Sequence, residues 1–227
     1  MPILGYFVIA VGAYLLGSIP TGYLVGRAKG IDIRTAGSGN IGAANVLRML
    51  GKPAGIFVLL MDCAKGWFAC FFGKWFCIWY ACRFTLFTTV GLDEQTLESL
   101  IPIVQCEIVA GIFAVLGHNF TCWLKFKGGK GIATSAGVYF ALAPLAAGVA
   151  LGAWIVVFAL SRYVSVASIA AAVALPATVL LMPNSLTLRI VTTVLGLLAI
   201  FKHRGNIRRL LNGTEHRVEF KKKEASQ

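Results

Sequence analysis

The sequence predicts an all-α polytopic membrane protein: a seven-helix transmembrane bundle with its N-terminus outside and its C-terminus in the cytoplasm. Composition is the first observation, because 58% of the 227 residues are hydrophobic and only 13% are charged, whereas soluble domains carry about 25% charged residues. Long apolar segments are the second, and the uneven distribution of Lys and Arg between loops is the third. The net charge of +12 lies in short runs between apolar segments, which favours anionic lipids and anionic substrates over nucleic acid.

The apolar segments define the spans. A bilayer core of about 30 Å requires roughly 17–25 apolar residues per helix. We predict spans at residues 3–25, 53–73, 101–117, 132–143, 145–160, 165–182 and 186–201. The first has no basic segment before it, so we expect a span and not a cleaved signal. The fourth and fifth are short and meet at Pro144 in a tight turn; the alternative is six spans, with 132–160 as one kinked helix.

The charge distribution sets the orientation. With seven spans, 17 of the 21 Lys and Arg residues lie on one side, in loops 26–52 and 118–131, at Arg162, and after residue 201. The positive-inside rule makes this side cytoplasmic, whereas six spans would divide these residues between both faces. Segment 74–100 is then expected outside, with an aromatic belt from Trp75 to Phe84 followed by a short acidic loop.

The chain shows no long soluble segment and no repeat, so we expect one integral-membrane domain over residues 1–227. Its polar loops are 26–52, 118–131, 161–168 and 202–217. The six cysteines form no Cys-x-x-Cys pair and no zinc-like spacing with histidine, so neither a metal site nor a cofactor is predicted. Cys63, Cys70 and Cys77 recur every seven residues and are expected to pack on one helix face.

A basic glycine-rich turn, Lys-Phe-Lys-Gly-Gly-Lys-Gly-Ile-Ala-Thr at residues 125–134, separates two apolar segments. Glycine lets backbone N–H groups approach a ligand, lysine supplies positive charge, and the following helix directs its N-terminus at an anion. We therefore predict a phosphate site at Gly128, Gly129, Lys130 and Gly131. Because Gly131 follows Lys130 where Walker A requires Ser or Thr, the turn is not an ATPase loop. The alternative is a helix-start turn flanked by snorkelling lysines.

A second polar cluster runs from Ser38 to Arg48 and includes Asn40 and Asn45. The Arg48 guanidinium can bind a phosphate through two hydrogen bonds. The spacing of Gly37, Gly39 and Gly42 matches the dinucleotide fingerprint, but that motif requires a preceding strand, and a membrane span precedes it here. Ordinary loop residues are the alternative interpretation.

Two further clusters lie in the C-terminal half. Ser165 and Ser168, just after Arg162, share one helix face and could both point into the bundle, although serine in membrane helices also serves simply to pack helices together. After the last span, His203, Asn206 and Glu215 are the residues that the positive-inside rule does not require.

Asp62 and Lys65 are ionisable residues within the second predicted span, three positions apart on one helix face. Ionisable groups at membrane depth are functional candidates, and a mutual ion pair that steadies the bundle is the alternative. Glu107 in the third span has no partner visible in the sequence.

The motifs Ser38 to Arg48, His118 to Thr134 and His203 to Glu215 occur in an order that resembles the bacterial acyl-phosphate:glycerol-3-phosphate acyltransferases, the PlsY family, and Arg162 to Ser168 matches as well. The resemblance spans nearly the whole chain, with residues 80–100 as a local elaboration. It implies an acyltransferase of phospholipid biosynthesis in the bacterial cell inner membrane, with an active site facing the cytoplasm. Such an enzyme moves a fatty acyl group from acyl phosphate to the 1-hydroxyl of glycerol 3-phosphate, giving lysophosphatidic acid and phosphate.

The same resemblance assigns residue roles. The catalytic residues would be Lys130, Arg48, Ser168, His203 and Asn206. The substrate-binding residues would be Ser38, Asn40, Asn45, Gly128, Gly129, Gly131 and Glu215. Acyl phosphate, glycerol 3-phosphate, the lipid bilayer and the enzyme that produces the acyl phosphate would be the partners, without nucleic acid, metal or cofactor.

The chemistry of this reaction fits a site rich in cations and poor in carboxylates. An acyl phosphate already has a good leaving group, so neutralising the developing charge matters more than activating a nucleophile. No Asp lies five residues after His118, His203 or His216, so no Asp-polarised histidine base is predicted. The substrate's own phosphate or a solvent path is expected to accept the hydroxyl proton, with His203 as the rival base.

Two interpretations from other classes remain. One is a transporter for a phosphorylated metabolite with the glycine-rich turn as its binding loop, although the polar residues gather at one face and no inverted repeat is evident. The other is a membrane anchor that binds anionic lipid.

Overall fold

The computed structural model describes residues 1–84 and 102–218, and within these ranges every regular element is a helix. In the first half these are α1 (Ile3–Ser18), α2 (Thr21–Ala28), α3 (Ala43–Leu50), α4 (Lys52–Phe84), α5 (Ile103–Asn119), a 3₁₀ turn (Cys122–Leu124) and α6 (Ile132–Leu142). The remainder are α7 (Pro144–Ser161), α8 (Val164–Leu181), α9 (Leu186–Lys202) and α10 (Arg204–Leu211). The all-α prediction is confirmed.

The helices include several that are long and apolar enough to cross a membrane. Among the described residues, five segments qualify: Ile3–Ala28, Lys52–Arg83, Ile103–Leu124, Pro144–Ser161 and Val164–Leu181. A sixth is added if α9 and α10, which meet at a bend of 50°, form one span. Helix α6 is about 17 Å long at 1.5 Å per residue, which is too short to cross the hydrocarbon core alone. The protein is therefore an integral membrane protein with five or six candidate spans.

Two predicted spans and one predicted loop differ from the structure. The first span is interrupted at Ile19 and Pro20, because proline lacks an N–H and disfavours helix at the residue before it. The second span was expected to end at 73 but continues to Phe84, since no proline interrupts its apolar and aromatic sequence. Loop 26–52 contains helix α3. The predicted acidic loop lies outside the described residues.

The chain divides into two compact units, Met1–Ala147 and Gly148–Gln227. In the first unit, α1 and α4 pack against α5, and α4 also packs against α6. Small residues permit this close packing: a methyl group on Gly66 would overlap the carbonyl of Thr134, and one on Gly137 would overlap the carbonyl of Cys63. The predicted packing role of the cysteine face agrees with the burial of Cys70 and Cys77.

In the second unit, α8 packs against α9. Gly196 makes this contact close, because a methyl group there would lie 2.8 Å from the carbonyl oxygen of Ala172 and 3.3 Å from Pro176. Helix α9 starts with a capped turn, since the Ser185 hydroxyl accepts a hydrogen bond from the N–H of Leu188 at 3.3 Å. The bend after α9 places residues 203–215 in a separate polar segment.

Candidate active site

The break between α1 and α2 anchors the first unit's polar loops. The Thr121 hydroxyl donates to the carbonyl of Ser18 at 2.6 Å, and the Ser18 hydroxyl donates to the carbonyl of Gly117 at 3.3 Å. The Lys65 ammonium donates to the carbonyl of Ile19 at 3.0 Å. Carbonyls at a helix end lack intrahelical partners, and here side chains from α4 and from the chain after α5 satisfy them. The break therefore fixes the chain around residues 117–121.

Asn45 holds the loop before α3 in its shape. Its amide nitrogen lies within hydrogen-bond distance of three carbonyls, those of Ile33 (3.2 Å), Ala36 (3.0 Å) and Asn40 (2.9 Å). Its amide oxygen accepts from the N–H of Ser38 at 2.9 Å. With its side chain buried, Asn45 organises the loop that presents Ser38.

Asn40 and Arg48 occupy the start and the end of the same loop–helix segment. The Asn40 side-chain oxygen accepts from the N–H of Gly42 at 2.8 Å, just before α3 begins. Gly37 and Gly39 adopt positive φ angles of 58° and 69°, which glycine tolerates without steric cost. Arg48 lies half-buried in the last turn of α3. The segment thus orders a guanidinium at one end and a hydrogen-bonding loop at the other.

The glycine-rich turn is braced by backbone hydrogen bonds. The N–H of Gly128 donates to the carbonyl of Asn119 at 3.2 Å, and the N–H of Gly129 donates to the carbonyl of His118 at 3.0 Å. These two N–H groups are therefore engaged within the turn, contrary to the expectation that they hold a phosphate. The N–H groups at the start of α6, after Gly131 at φ 82°, lack intrahelical acceptors and are better placed to bind an anion.

Steric contact explains the glycines of this turn. A methyl group on Gly128 would overlap the carbonyl oxygen of His118, and one on Gly129 would overlap Nε2 of the His118 ring. A methyl group on Gly131 would lie 2.9 Å from the side-chain oxygen of Asn119. The turn therefore passes directly over the end of α5. Its contacts with His118 and Asn119 determine how far the turn lies from that helix.

One hydrophobic cluster lies beneath both polar loops of the first unit. It joins Leu124, from the chain just before the glycine-rich turn, to Ile33, Ile41 and Val46 around the first loop and to Val58 of α4. The structure thus brings the loops that carry two predicted groups onto one core. These groups are Ser38, Asn40, Asn45 and Arg48, and Gly128, Gly129, Lys130 and Gly131.

Glu215 organises the polar segment of the second unit. Its carboxylate accepts hydrogen bonds from Asn206 at 2.6 Å, from the Ser165 hydroxyl at 2.8 Å and from the Arg209 guanidinium at 2.7 Å. Burial raises the pKa of the Glu215 carboxyl, but the hydrogen bonds from Asn206, Ser165 and Arg209 outweigh it and lower that pKa below its ordinary value. Glu215 is therefore a charged structural centre that positions Asn206.

His203 and Ser168 are both held by backbone carbonyls. The Nδ1 atom of His203 lies 2.8 Å from the carbonyl oxygen of Ala199, and because a carbonyl only accepts, Nδ1 carries the proton and Nε2 is the acceptor in the neutral ring. The Ser168 hydroxyl donates to the carbonyl of Val164 at 2.8 Å and lies 3.3 Å from the indole nitrogen of Trp154. Ser168 is thus available as an oriented oxygen and not as an activated nucleophile.

Sequence reasoning missed two residues of this unit. Trp154, which donates its indole N–H to Ser168, gave no signal because it reads as one more apolar residue of a span. By sequence, Arg209 is one more cation of the basic tail, but in the structure its guanidinium pairs with Glu215. The spacing of Arg209 and Glu215 around Gly213 is only a weak signal for this ion pair. Among the described residues, no group of three or more His, Cys, Asp and Glu could hold a metal ion.

Together, the apolar helices and the polar loops at their ends define an integral membrane protein with candidate phosphate-binding loops. The family model for glycerol-3-phosphate acyltransferase matches residues 7–213. This chain belongs to the glycerol-3-phosphate acyltransferase family.

Relatives and solved structures agree with this assignment. The chain is 42% identical over 210 residues to the glycerol-3-phosphate acyltransferase of Geotalea daltonii, covering 92% of this chain and 95% of that protein. It is 44% identical over 209 residues to the enzyme of the same name from Methylobacillus flagellatus, covering 92% and 94%. A crystal structure of PlsY (YgiH), an integral membrane glycerol 3-phosphate acyltransferase, in its glycerol 3-phosphate form matches with a TM-score of 0.78 at 36% identity, covering 94% of this chain and 96% of that one. The lysophosphatidic acid form of PlsY matches with a TM-score of 0.75 at 36% identity, covering 94% and 95%.

Proposed function

We propose that this protein transfers a fatty acyl group from acyl phosphate to the 1-hydroxyl of glycerol 3-phosphate, producing lysophosphatidic acid and inorganic phosphate. The observation that carries this proposal is the family match over residues 7–213, which includes every residue proposed as catalytic. The solved relatives in glycerol 3-phosphate and lysophosphatidic acid forms support the acceptor and the product. The donor is proposed from the site's chemistry.

Two cationic side chains and the backbone N–H groups at the start of α6 bind the substrate phosphates in this proposal. We assign Lys130 and Arg48 to the substrate phosphates, because ammonium and guanidinium groups form the strongest hydrogen bonds to phosphate oxygens. The N–H groups at the start of α6 supply further donors, while Gly128, Gly129 and Gly131 allow the close passage of the turn. Ser38, Asn40 and Asn45 shape the opposite loop.

The acyl transfer itself needs little activation. The 1-hydroxyl oxygen of glycerol 3-phosphate attacks the carbonyl carbon of acyl phosphate, a new C–O ester bond forms, and the bond to the phosphate oxygen breaks. The departing phosphate takes the negative charge, which Lys130 and Arg48 neutralise. The hydroxyl proton passes to a substrate phosphate or to solvent, while Ser168 and Asn206 orient the substrates.

His203 is the rival proton acceptor, because its Nε2 is the basic nitrogen of the neutral ring. Replacing His203 by Asn keeps an amide near the same position but removes the base. If the substrate phosphate accepts the proton, His203→Asn retains a wild-type pH profile of kcat. If His203 is the base, kcat of the wild type should fall as the pH drops through the usual pKa range of histidine, and His203→Asn should lack that fall.

For the membrane, we propose seven spans, with the short helix α6 crossing where neighbouring helices shield it and the bilayer is locally thinned. The N-terminus is then outside, the C-terminus inside, and the site faces the cytoplasm of the bacterial inner membrane. The concentration of Lys and Arg in loops 26–52 and 118–131, at Arg162 and after residue 201 supports this orientation. We also propose that residues 1–227 act as one acyltransferase domain and that the enzyme producing acyl phosphate is a partner.

The test uses the full chain purified in detergent micelles. Phosphate release that requires both acyl phosphate and glycerol 3-phosphate supports the proposal, and no release with both substrates contradicts it and favours a transporter. Lys130→Ala is expected to lose about 2 kcal/mol of transition-state stabilisation, a rate loss of about 30-fold. Lys127→Ala, which removes an exposed lysine of the same turn, is the matched control. A membrane anchor would tolerate both changes.

A further inference from the structure

Three ionisable side chains are buried together in the first unit, and the proposed chemistry uses none of them. Asp62 and Lys65 lie on α4 and His118 lies near the end of α5, with side-chain exposures of 3%, 5% and 5%. Ionisable groups in membrane segments are costly to bury and are retained where they have a function. This group therefore needs an explanation beyond the predicted ion pair.

The Asp62 carboxylate faces two partners at once. Its Oδ1 atom lies 2.8 Å from the Lys65 ammonium, which confirms the pair predicted from their spacing. The same oxygen lies 3.6 Å from Nδ1 of His118, which is an electrostatic contact and not a hydrogen bond. Lys65 in turn donates to the carbonyl of Ile19 at 3.0 Å. One carboxylate thus connects α4, the α1–α2 break and the imidazole of α5.

The opposite side of the His118 residue supports the glycine-rich turn. A methyl group on Gly129 would overlap Nε2 and lie 2.8 Å from Cε1 of the imidazole. The backbone carbonyl of His118 accepts from the N–H of Gly129 at 3.0 Å. The ring is therefore packed between the Asp62 carboxylate and the backbone of the turn, so its orientation sets how high the turn stands above α5.

We propose that Asp62 is a positioning residue for phosphate binding, acting through the His118 ring on the turn that carries Lys130. A buried carboxylate facing Nδ1 favours one orientation of the imidazole. Turning the ring so that Nδ1 points away from Asp62 would remove the electrostatic attraction between them. A rotated ring would shift Gly129 and with it Lys130 and the start of α6. This inference rests on the proposed function, because it assumes that the turn binds a substrate phosphate.

A purely structural ion pair is the competing explanation, and a charge-balanced double variant separates the two. Asp62→Asn alone leaves Lys65 buried without a counter-charge, which destabilises a protein whatever the pair does. Asp62→Asn together with Lys65→Met leaves no unpaired charge. Glu107→Gln is the matched control, because it makes the same acid-to-amide change at a half-buried position in α5 that has no part in the turn.

The measurements are the thermal unfolding midpoint and KM for each substrate. We expect the double variant to fold, with an unfolding midpoint lowered only by the lost hydrogen bond from Lys65 to Ile19. Its KM should rise about tenfold for the substrate whose phosphate the turn holds, since sub-ångström displacement of a binding group has effects of this order. The KM of the other substrate should change less than twofold, as should both values in Glu107→Gln. A folded double variant with wild-type KM values for both substrates would overturn the proposal, whatever its unfolding midpoint.

A second variant covers failure of the double variant to fold. Asp62→Glu keeps the negative charge beside Lys65 but moves the carboxylate oxygen relative to His118, so we expect a folded protein with the same selective rise in KM. Wild-type KM values for both substrates in Asp62→Glu would overturn the proposal. Wild-type protein without turnover would contradict the proposed function instead. The same variants titrated with inorganic phosphate then test the positioning role, with about tenfold weaker binding expected and unchanged binding contradicting it.

Discussion

Gly129→Ala tests the steric relation between the turn and α5 with the addition of a single methyl group. The new methyl carbon would overlap Nε2 of His118 and lie 2.8 Å from Cε1 and 3.0 Å from Cδ2. Gly129 does not adopt a positive φ angle, so alanine is allowed by the backbone and the effect comes from contact alone. The His118 ring is buried and faces Asp62, which leaves the turn as the part that must move.

The expected magnitude follows from that displacement. Ordinary contacts of a methyl carbon begin at about 3.4 Å, so the turn must rise by at least about 1 Å to clear Nε2 of His118. A displacement of 1 Å in a binding group can reduce the rate about 100-fold, which corresponds to about 2.7 kcal/mol in the activation free energy. Overpacking of this kind also lowers the free energy of unfolding by about 1–3 kcal/mol.

The assay compares kcat/KM for phosphate release with that of Gly152→Ala. The control makes the same chemical change in helix α7, where an added methyl group meets nothing within 4 Å, so its activity should equal that of the wild type. Activity of Gly129→Ala within twofold of this control would refute the close passage of the turn over His118. A fall in activity without a fall in the unfolding midpoint would show that the turn's position, and not the fold, was affected.

Three further predictions concern groups around the sites. Asn45→Asp should lower the yield of folded protein and destabilise the first unit by about 3 kcal/mol or more, because a carboxylate would face three carbonyl oxygens where an amide nitrogen now donates; normal yield and unfolding midpoint on fluorescence-detected size exclusion would contradict this. Glu215→Gln should cost about 2 kcal/mol at neutral pH. Because the pKa of Glu215 is lowered in the folded protein, the wild type should lose this stabilisation as the pH falls through about 4.5 and below, whereas the variant should lack that dependence; parallel pH curves would be the contrary result. Ser185→Ala should cost about 1 kcal/mol by removing the cap on Leu188, measured as a lower unfolding midpoint with unchanged activity.

The parts of the fold that the sequence could predict are those that local periodicity determines. Hydropathy located the membrane helices, and helical spacing predicted the contact between Asp62 and Lys65. The same reasoning predicted that Ser165 and Ser168 share a buried face. The break at Pro20 was open to the same reasoning, because proline removes a donor, but the apolar sequence on both sides concealed it.

The parts that the sequence could not predict depend on tertiary contacts. Nothing local to His118 indicates that its ring supports Gly129, because the contact arises only where the turn folds back over α5. The glycines suggested N–H donors for an anion, whereas the structure uses two of those donors to close the turn. Lys125 and Phe126 adopt positive φ angles of 54° and 60°, which neither residue type favours. Such a conformation is imposed by the closed turn and could not be read from composition.

The identity of the acyl donor gives the most direct test of the proposed reaction. Purified wild-type protein in micelles is supplied with glycerol 3-phosphate and, in parallel, with acyl phosphate or with the matching acyl-coenzyme A thioester, and lysophosphatidic acid is quantified by mass spectrometry. Efficient product formation from acyl phosphate, with one inorganic phosphate released per product and little product from the thioester, is the predicted result. Product from the thioester alone, or from neither donor, would contradict the proposal.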